Sequence, residues 1–267
     1  MICFPNAKIN LGLHVTGKRS DGFHSIETIF YPIPLRDALE VVESDQTSFT
    51  QTGIHLAIKP EENLVMKAYA LMSEKIKTPT LDIFLKKAIP SGAGLGGGSA
   101  DAAFMLKLLC QINNSAVTEN IFLKMAESLG ADCPFFIRNT PVIATGTGNL
   151  FQPSDVSLKG YLLYIVKPPL EIATCEAYAM VNPKKPVFSL ERLSSFPVQE
   201  WKHILFNDFE PVIFNKYPLI KKLKEQLYAM GAEYASMSGS GSAVFGLFKK
   251  TVSSNFSACF VWKGILA

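Results

Sequence analysis

Four stretches of this 267-residue chain set small, charged and backbone-exposing residues at spacings suited to chemistry on an anion. In Pro90-Ser91-Gly92-Ala93-Gly94-Leu95-Gly96-Gly97-Gly98-Ser99-Ala100-Asp101-Ala102-Ala103, five glycines fall within seven residues, after an apolar strand-like run and before a strongly helical one. Glycine reaches positive φ freely and lets a ligand crowd the backbone, while a helix starting near Ser99 turns its unpaired N–H groups and positive dipole end toward that ligand. The chemistry this suits is polyphosphate binding. Pro5-Asn6-Ala7-Lys8-Ile9-Asn10-Leu11-Gly12-Leu13 sets Lys8 and Asn10 side by side on the polar face of a strand, where the plain alternative is a solvated surface. Gly130-Ala131-Asp132-Cys133-Pro134-Phe135-Phe136 holds an acid between a helix-ending glycine and a proline, a position that also suits the N-cap of a short helix. Ser236-Met237-Ser238-Gly239-Ser240-Gly241-Ser242-Ala243 reads as a hairpin loop or as a further wall of a phosphate site.

Gly92, Gly94 and Gly97 also satisfy GxGxxG. A dinucleotide fold would put that motif after the first strand and an acidic residue at the end of a second strand about 20 positions on. Here the helix runs into Asn113-Asn114-Ser115 and then another helix, and the absence of GxxxxGK[ST] leaves a P-loop without its lysine. A flexible linker would not lead straight into a helix as apolar as Ala102 to Leu109.

A chain of this length buries roughly three quarters of its unfolded surface and has room for two domains. Its 48% hydrophobic content is that of a globular protein, and no apolar stretch reaches the roughly 18 residues of a membrane span. Met1 to Asn6 lacks the basic start and long apolar core of a signal peptide, so the expected location is the cytoplasm. Cys3, Cys110, Cys133, Cys175 and Cys259 are scattered without a CxxC pair, which indicates neither a disulfide framework nor a zinc site and predicts mostly buried thiols. A net charge of +3 without a basic block excludes a nucleic-acid surface and suits small anionic substrates.

Ala7 to Val15 alternates strictly, with Ile9, Leu11, Leu13 and Val15 opposite Lys8, Asn10, Gly12 and His14, and so predicts a half-buried strand. Further strands are predicted at Ala38–Val42, Ile54–Ile58, Leu81–Ile89, Pro141–Thr145, Tyr161–Val166, Glu233–Met237, Ala243–Phe248 and Cys259–Trp262. Helices are predicted at Asn63–Ile76, from the glycine loop onward, and at Thr118–Leu129, Thr174–Met180, Phe209–Asn215 and Leu219–Met230. The polar segment Gln152-Pro153-Ser154-Asp155 is the best domain boundary, dividing the chain into 1–154 and 155–267, with the last strand free to return to the first half.

In order and spacing, Pro5 to Leu11, Pro90 to Ala103 and Ser236 to Ala243 resemble the three motifs of the GHMP kinase family. The resemblance covers essentially the whole chain and implies a two-domain α/β (α+β) fold, an N-terminal half like domain 2 of ribosomal protein S5 and a ferredoxin-like C-terminal half. Gly17-Lys18-Arg19-Ser20-Asp21-Gly22-Phe23-His24-Ser25-Ile26-Glu27-Thr28, Gly96 to Gly98, Gly130 to Phe136 and Asn207-Asp208-Phe209-Glu210 are most similar to members whose acceptor is a cytidine diphosphate-linked polyol, in non-mevalonate isoprenoid precursor synthesis. That likeness implies ATP as co-substrate with Mg2+, phosphorylation of a tertiary hydroxyl, and small-molecule partners without nucleic acid or membrane.

By the same likeness, Asp132 takes the place of the catalytic aspartate and Lys8 that of the lysine beside it. Pro90, Ser91, Gly92, Ala93, Gly94, Leu95, Gly96, Gly97, Gly98, Ser99 and Ala100 would cradle the ATP phosphates, and Asn63 and Lys87 would lie near the adenine. Asn10, Phe23, His24, Tyr178, Gly239 and Ser240 would bind the acceptor, with Phe23 and Tyr178 packing on a cytosine and His24 hydrogen bonding to it. Relatives usually carry tyrosine at Phe23 and serine at Ala100, so Ser99 is the remaining hydroxyl there for phosphate or metal. His14, His55 and His203 lie outside the motifs and read as structural. Mevalonate-type or homoserine-type kinases would share the three motifs but lack the aromatic and His24 set. A catalytically silent nucleotide-binding module would lack Lys8 or Asp132.

Overall fold

The structure, a computed structural model, describes residues 1–113, 118–253 and 256–267, so Asn114 and Ser115 lie outside the described residues. The first part of the chain forms β1 (Ile2–Cys3), β2 (Asn6–Lys18), β3 (His24–Arg36), β4 (Ala38–Glu43), β5 (Ser48–Gly53), α1 (Leu64–Ser73), β6 (Leu81–Lys87) and α2 (Gly97–Ile112). Next come α3 (Glu119–Leu129), α4 (Cys133–Arg138), β7 (Val142–Thr145), β8 (Leu150–Pro153), β9 (Leu162–Lys167) and α5 (Thr174–Met180). The chain closes with α6 (Trp201–Ile204), α7 (Glu210–Lys216), α8 (Pro218–Ala229), β10 (Tyr234–Met237), β11 (Val244–Phe248) and β12 (Phe260–Ile265). Among the described residues no helix is long and apolar enough to cross a membrane.

Two compact units interleave in sequence. The first comprises Met1–Ala7, Leu35–Ser91 and Gly96–Thr140. Its sheet has the order β1-β4-β6-β5, antiparallel except where β5 runs parallel to β6. Along β6 the period of two turns Leu81, Ile83 and Leu85 into a core shared with Val65, Ala68 and Met72 of α1 and Met105, Leu106 and Leu109 of α2. Each such side chain contributes about 1.5–3 kcal/mol when fully buried. The strand expected at Ile54–Ile58 is not formed. The partner ladder of β6 is used up by Ser48–Gly53, ending at Gly53 opposite Lys87, and leaves the following apolar run no strand to pair with.

The second unit comprises Lys8–Pro34, Gly92–Leu95 and Pro141–Ala267. It holds a sheet of order β2-β3-β7-β8 and another of order β10-β11-β9-β12. Tyr164, Val166, Ala235, Met237 and Val244 of the latter pack with Ile213 of α7 and Ile220, Leu223 and Leu227 of α8, and Leu13, Val15 and Ile26 join the same core. β8 takes in Gln152 and Pro153, which pair with Ile143 and Val142. The last strand runs to Ile265 and pairs with β9 over its whole length. β3, 13 residues long, was not expected, because Pro32 and Pro34 interrupt its pattern; its register on β7 spans Thr28 to Phe30, ahead of both prolines.

Two sequence expectations about burial are corrected. β2 is buried on both faces rather than half-buried, with Lys8 3%, Asn10 2% and His14 4% exposed, because each of these polar side chains has polar groups facing it. Of the five free cysteines only Cys133 is fully buried, and Cys175 is exposed.

Lys87 is the last inward residue of β6, where the pattern would otherwise place an apolar side chain. Its ammonium pairs with Asp37 and with Asp101 Oδ2 at 2.6 Å. Burial pushes the Asp101 carboxyl up to about 8, the Asp37 carboxylate adding to the shift and Lys87 opposing it. The folded chain therefore keeps a proton there that the unfolded chain releases above pH about 4. Stability should fall as pH rises from about 4 to about 8, by up to about 1.4 kcal/mol per pH unit. Asp101→Asn should flatten that dependence, read as urea midpoints between pH 5 and 8, and equal slopes in variant and wild type would refute the assignment.

Candidate active site

In the second unit, β2 brings Lys8 and Asn10 to one place. Lys8 Nζ donates to Asn10 Oδ1 at 2.7 Å and lies 4.8 Å from the centre of the Phe30 ring. Asn10 Nδ2 donates to Thr28 Oγ1 at 3.0 Å, and the Asn10 backbone N–H to Ser238 Oγ at 3.2 Å. The first half of the glycine loop is fastened to the same elements. Lys8 N–H donates to Leu95 O at 2.9 Å, Ala243 N–H to Ala93 O at 3.2 Å, and Ser238 Oγ to Gly94 O at 2.8 Å. Gly94, at φ +72°, packs so closely on the Ser238 carbonyl that any Cβ would overlap it, and a Cβ on Gly239 would come within 3.2 Å of Asn10 Oδ1. Lys8, Asn10, Gly94 and Gly239 thus form one cluster. Ser240 stands at its edge, its Oγ 3.4 Å from Thr174 Oγ1.

The likeness of Asn207-Asp208-Phe209-Glu210 to its family counterparts assigns these residues no task, and their contacts do. Asn207 Nδ2 donates to the carbonyls of Met237 and Gly239 at 2.9 and 2.8 Å, and its Oδ1 accepts the Phe209 N–H. Glu210 accepts from the Met237 N–H at 2.8 Å and from the Ser236 hydroxyl at 3.0 Å. Asp208 accepts the Val15 N–H at 3.0 Å and lies 3.8 Å from His14 Nδ1, and the His14 ring, the Val15 N–H and the Lys184 ammonium hold its carboxyl below the usual range against the effect of burial. The motif braces the serine-glycine turn from one side and β2 from the other. A polar cluster in an otherwise apolar run was its sequence signal.

Away from this cluster, His24 stacks on Tyr178 with ring centres 4.9 Å apart and planes 22° apart, and Tyr178 meets Phe209 edge-on at 4.9 Å. Phe23, 66% exposed, stands on the loop before them. That loop is closed by the Arg19 N–H donating to Phe23 O and by Asp21 accepting the Phe23 N–H.

In the first unit, Gly96 caps α2 at φ +72°, and Gly97, Gly98 and Ser99 form the first turn, with Ala100 fully buried behind them. A short left-handed cap of this kind leaves the helix N–H groups without side-chain competitors. The turn Gly130 to Cys133 lies against Ser99: a Cβ on Gly130 would be 3.8 Å from Ser99 Oγ, and the Ser99 hydroxyl hydrogen bonds to the Cys133 thiol, which burial pushes up to about 12. Asp132 is the residue before α4, half-buried, and makes no side-chain capping bond. Asn63 caps α1 by accepting the Val65 N–H at 2.9 Å, and Leu64 follows it beside Gly98. Lys87 points beneath Gly97 and is committed to Asp37 and Asp101, while Pro90 is buried and Ser91 exposed.

Family profiles match two stretches, "GHMP kinases N terminal domain" over residues 63–140 and "GHMP kinases C terminal" over 193–258. A 4-diphosphocytidyl-2-C-methyl-D-erythritol kinase of Parabacteroides distasonis is 57% identical over 271 residues, covering all of both chains. Its namesake in Bacteroides fragilis is 51% identical over 98% of each chain. Among solved structures, a crystal structure of 4-(cytidine 5'-diphospho)-2C-methyl-D-erythritol kinase superposes with TM-score 0.77 at 34% identity, covering 92% of this chain and 90% of the other. With both family profiles matched and full-length relatives at 51–57% identity, the chain belongs to the GHMP kinase family, in the branch of the 4-diphosphocytidyl-2-C-methyl-D-erythritol kinases.

Proposed function

We propose that the chain transfers the γ-phosphoryl group of ATP to the 2-hydroxyl of 4-diphosphocytidyl-2-C-methyl-D-erythritol, as a small-molecule kinase of isoprenoid precursor synthesis. The full-length likeness to kinases of that name carries the assignment. Phosphoryl transfer needs chiefly positioning and neutralisation of charge on the equatorial oxygens. In this reading the loop from Pro90 to Ala100 supplies backbone N–H groups and the start of α2 in place of a P-loop lysine. The acceptor is a crowded tertiary alcohol of ordinary, high pKa. Asp132 takes its proton and Lys8 stabilises the developing alkoxide. Asn10, Gly239 and Ser240 orient the polyol and its diphosphate, and Asn63 lies toward the adenine. Mg2+ carried on the nucleotide phosphates asks for only one or two protein oxygens, and the Ser99 hydroxyl in the first turn of α2 is of the right kind. When bound, the ion would offset phosphate charge.

The base assignment predicts that Asp132→Asn keeps the fold and the affinity for ATP while turnover falls by about 10²- to 10⁴-fold, the usual worth of a general base. An unchanged kcat in the folded variant would remove Asp132 from the mechanism.

Gly96→Val tests the cradle. A left-handed backbone costs a non-glycine residue roughly 1–2 kcal/mol, so the loop relaxes and ATP binding must restore it, raising KM for ATP about tenfold or more with a smaller effect on the acceptor. Equal ATP affinity in a folded Gly96→Val protein would show that the nucleotide binds elsewhere.

The His24 and Tyr178 pair is assigned to the cytosine, each base contact contributing about 1–3 kcal/mol of binding remote from the reacting hydroxyl. Free methylerythritol phosphate should then be a poor acceptor. Tyr178→Ala and His24→Ala should each raise KM for the cytidine substrate with little change for ATP, in separate titrations of the two substrates. Loss of ATP affinity instead, or equal use of both acceptors, would leave a GHMP-type kinase with a different acceptor.

A further inference from the structure

We propose that Thr28 is a positioning residue for phosphoryl transfer: its hydroxyl locks the side-chain amide of Asn10 in the orientation that presents Oδ1 to the Lys8 ammonium. The inference rests on the role given to Lys8 above. Thr28 sits on β3 with no exposed surface. Its Oγ1 donates to Gly12 O at 2.5 Å and faces Asn10 Nδ2 at 3.0 Å.

A hydroxyl has one hydrogen. With that hydrogen given to the Gly12 carbonyl, Thr28 can only accept from Asn10, so the amide must turn its NH2 group toward Thr28 and its oxygen away. The oxygen then meets Lys8 Nζ at 2.7 Å. An ammonium has donors only, and a flipped amide would set NH2 against NH3⁺. The second hydroxyl nearby keeps the same order. Ser238 Oγ gives its hydrogen to Gly94 O at 2.8 Å and accepts the Asn10 backbone N–H at 3.2 Å. Proton bookkeeping thus runs in one direction, from Lys8 and Asn10 through Thr28 to the Gly12 carbonyl. Gly12 itself, at φ +66°, lies against Leu205 and Leu190, which fixes where that carbonyl points. Thr28 need not touch a substrate to matter: it sets the rotamer and polarity of the group beside the charge-stabilising lysine.

Thr28→Val keeps the shape and removes the hydrogen bonds, and Thr28→Ser keeps the hydroxyl. Steady-state rates with ATP and 4-diphosphocytidyl-2-C-methyl-D-erythritol should show kcat down about ten- to a hundredfold in Thr28→Val, KM for ATP within about twofold, and Thr28→Ser close to wild type. The loss in the double variant Thr28→Val with Asn10→Ala should equal that of Asn10→Ala alone, since Thr28 acts through Asn10. Additive losses, or a wild-type kcat in Thr28→Val, would overturn the proposal. If Thr28→Val does not fold, Thr28→Cys, which fills the same space with a poor hydrogen-bonding group, takes its place in the comparison with serine. A readout without turnover separates this proposal from the functional reading. The Asn10 side-chain amide signals of ¹⁵N-labelled protein, assigned by their loss in Asn10→Ala, should shift in Thr28→Val and stay in place in Thr28→Ser. Unmoved signals in Thr28→Val refute the lock whatever the wild-type enzyme phosphorylates, whereas an inactive wild type with the expected shifts refutes the acceptor assignment alone.

Discussion

A strand that buries polar side chains on one face and apolar ones on the other must bring partners to those side chains, and β2 does so for Lys8, Asn10 and one ring nitrogen of His14, while His14 Nε2 is left without a hydrogen bond among the described residues. An unpaired buried donor or acceptor costs about 1–3 kcal/mol, a large part of the net stability of a domain. Lys8, Asn10 and His14 therefore dictate what surrounds them: the Asn10 oxygen at Lys8, the Thr28 hydroxyl at Asn10, the Asp208 carboxylate at His14. These partners come from β3 and from the segment before α7, so one strand's polar face fixes the relative placement of elements distant in sequence. The same demand draws Ser238 to the Asn10 backbone and thereby seats the serine-glycine turn against Gly94.

The brace at Asn207 to Glu210 completes that logic from the opposite side. A turn built of Ser, Gly and Ser has little apolar surface with which to hold its shape, and glycine adds conformational entropy to be lost. Asn207 offsets this by taking two carbonyls with one NH2 group, and Glu210 by taking the Met237 N–H and the Ser236 hydroxyl, its other oxygen paired with Lys224 at 2.6 Å. Rigid donors aimed at an anion work best when their own reorganisation is already complete. The brace gives the serine-glycine turn that rigidity.

What could be read from residues alone follows the range of the interactions involved. The period of two along β2 and the start of α2 after the glycines are local, and both are visible in the order of residue types. The burial of the polar face of β2 is not, since Lys8 in an alternating strand looks the same whether water or Asn10 receives it. β3 was hidden by Pro32 and Pro34, whose missing N–H groups break a pattern without preventing a strand outside the ladder with β7. The strand at Ile54–Ile58 failed for the converse reason: apolar content is local, but a ladder partner is not. Motif likeness pointed to Lys8, Asn10, Gly94 and Gly239, which do cluster, whereas Thr28 is joined to them by hydrogen bonds to an amide and a carbonyl that leave no mark on spacing.

Two buried lysines show how far context decides the use of a charge. Lys87 and Lys8 are each 3% exposed, Lys87 at the end of β6 and Lys8 near the start of β2. Lys87 stands between two buried acids. Asp37 accepts the N–H groups of Ala88 and Ile89 at 2.5 and 2.9 Å, Asp101 belongs to α2, and the ammonium joins the two. The stretch before the glycine loop and the helix after it are thereby tied at the loop's stem. Removing the charge would leave two buried acids together, a far costlier state than the pair and proton now present. Lys8 has among its contacts an amide oxygen at 2.7 Å and an aromatic ring centred 4.8 Å away. The same kind of side chain thus ties separate elements through two buried acids in one place, and in the other packs against an amide and a ring within one sheet.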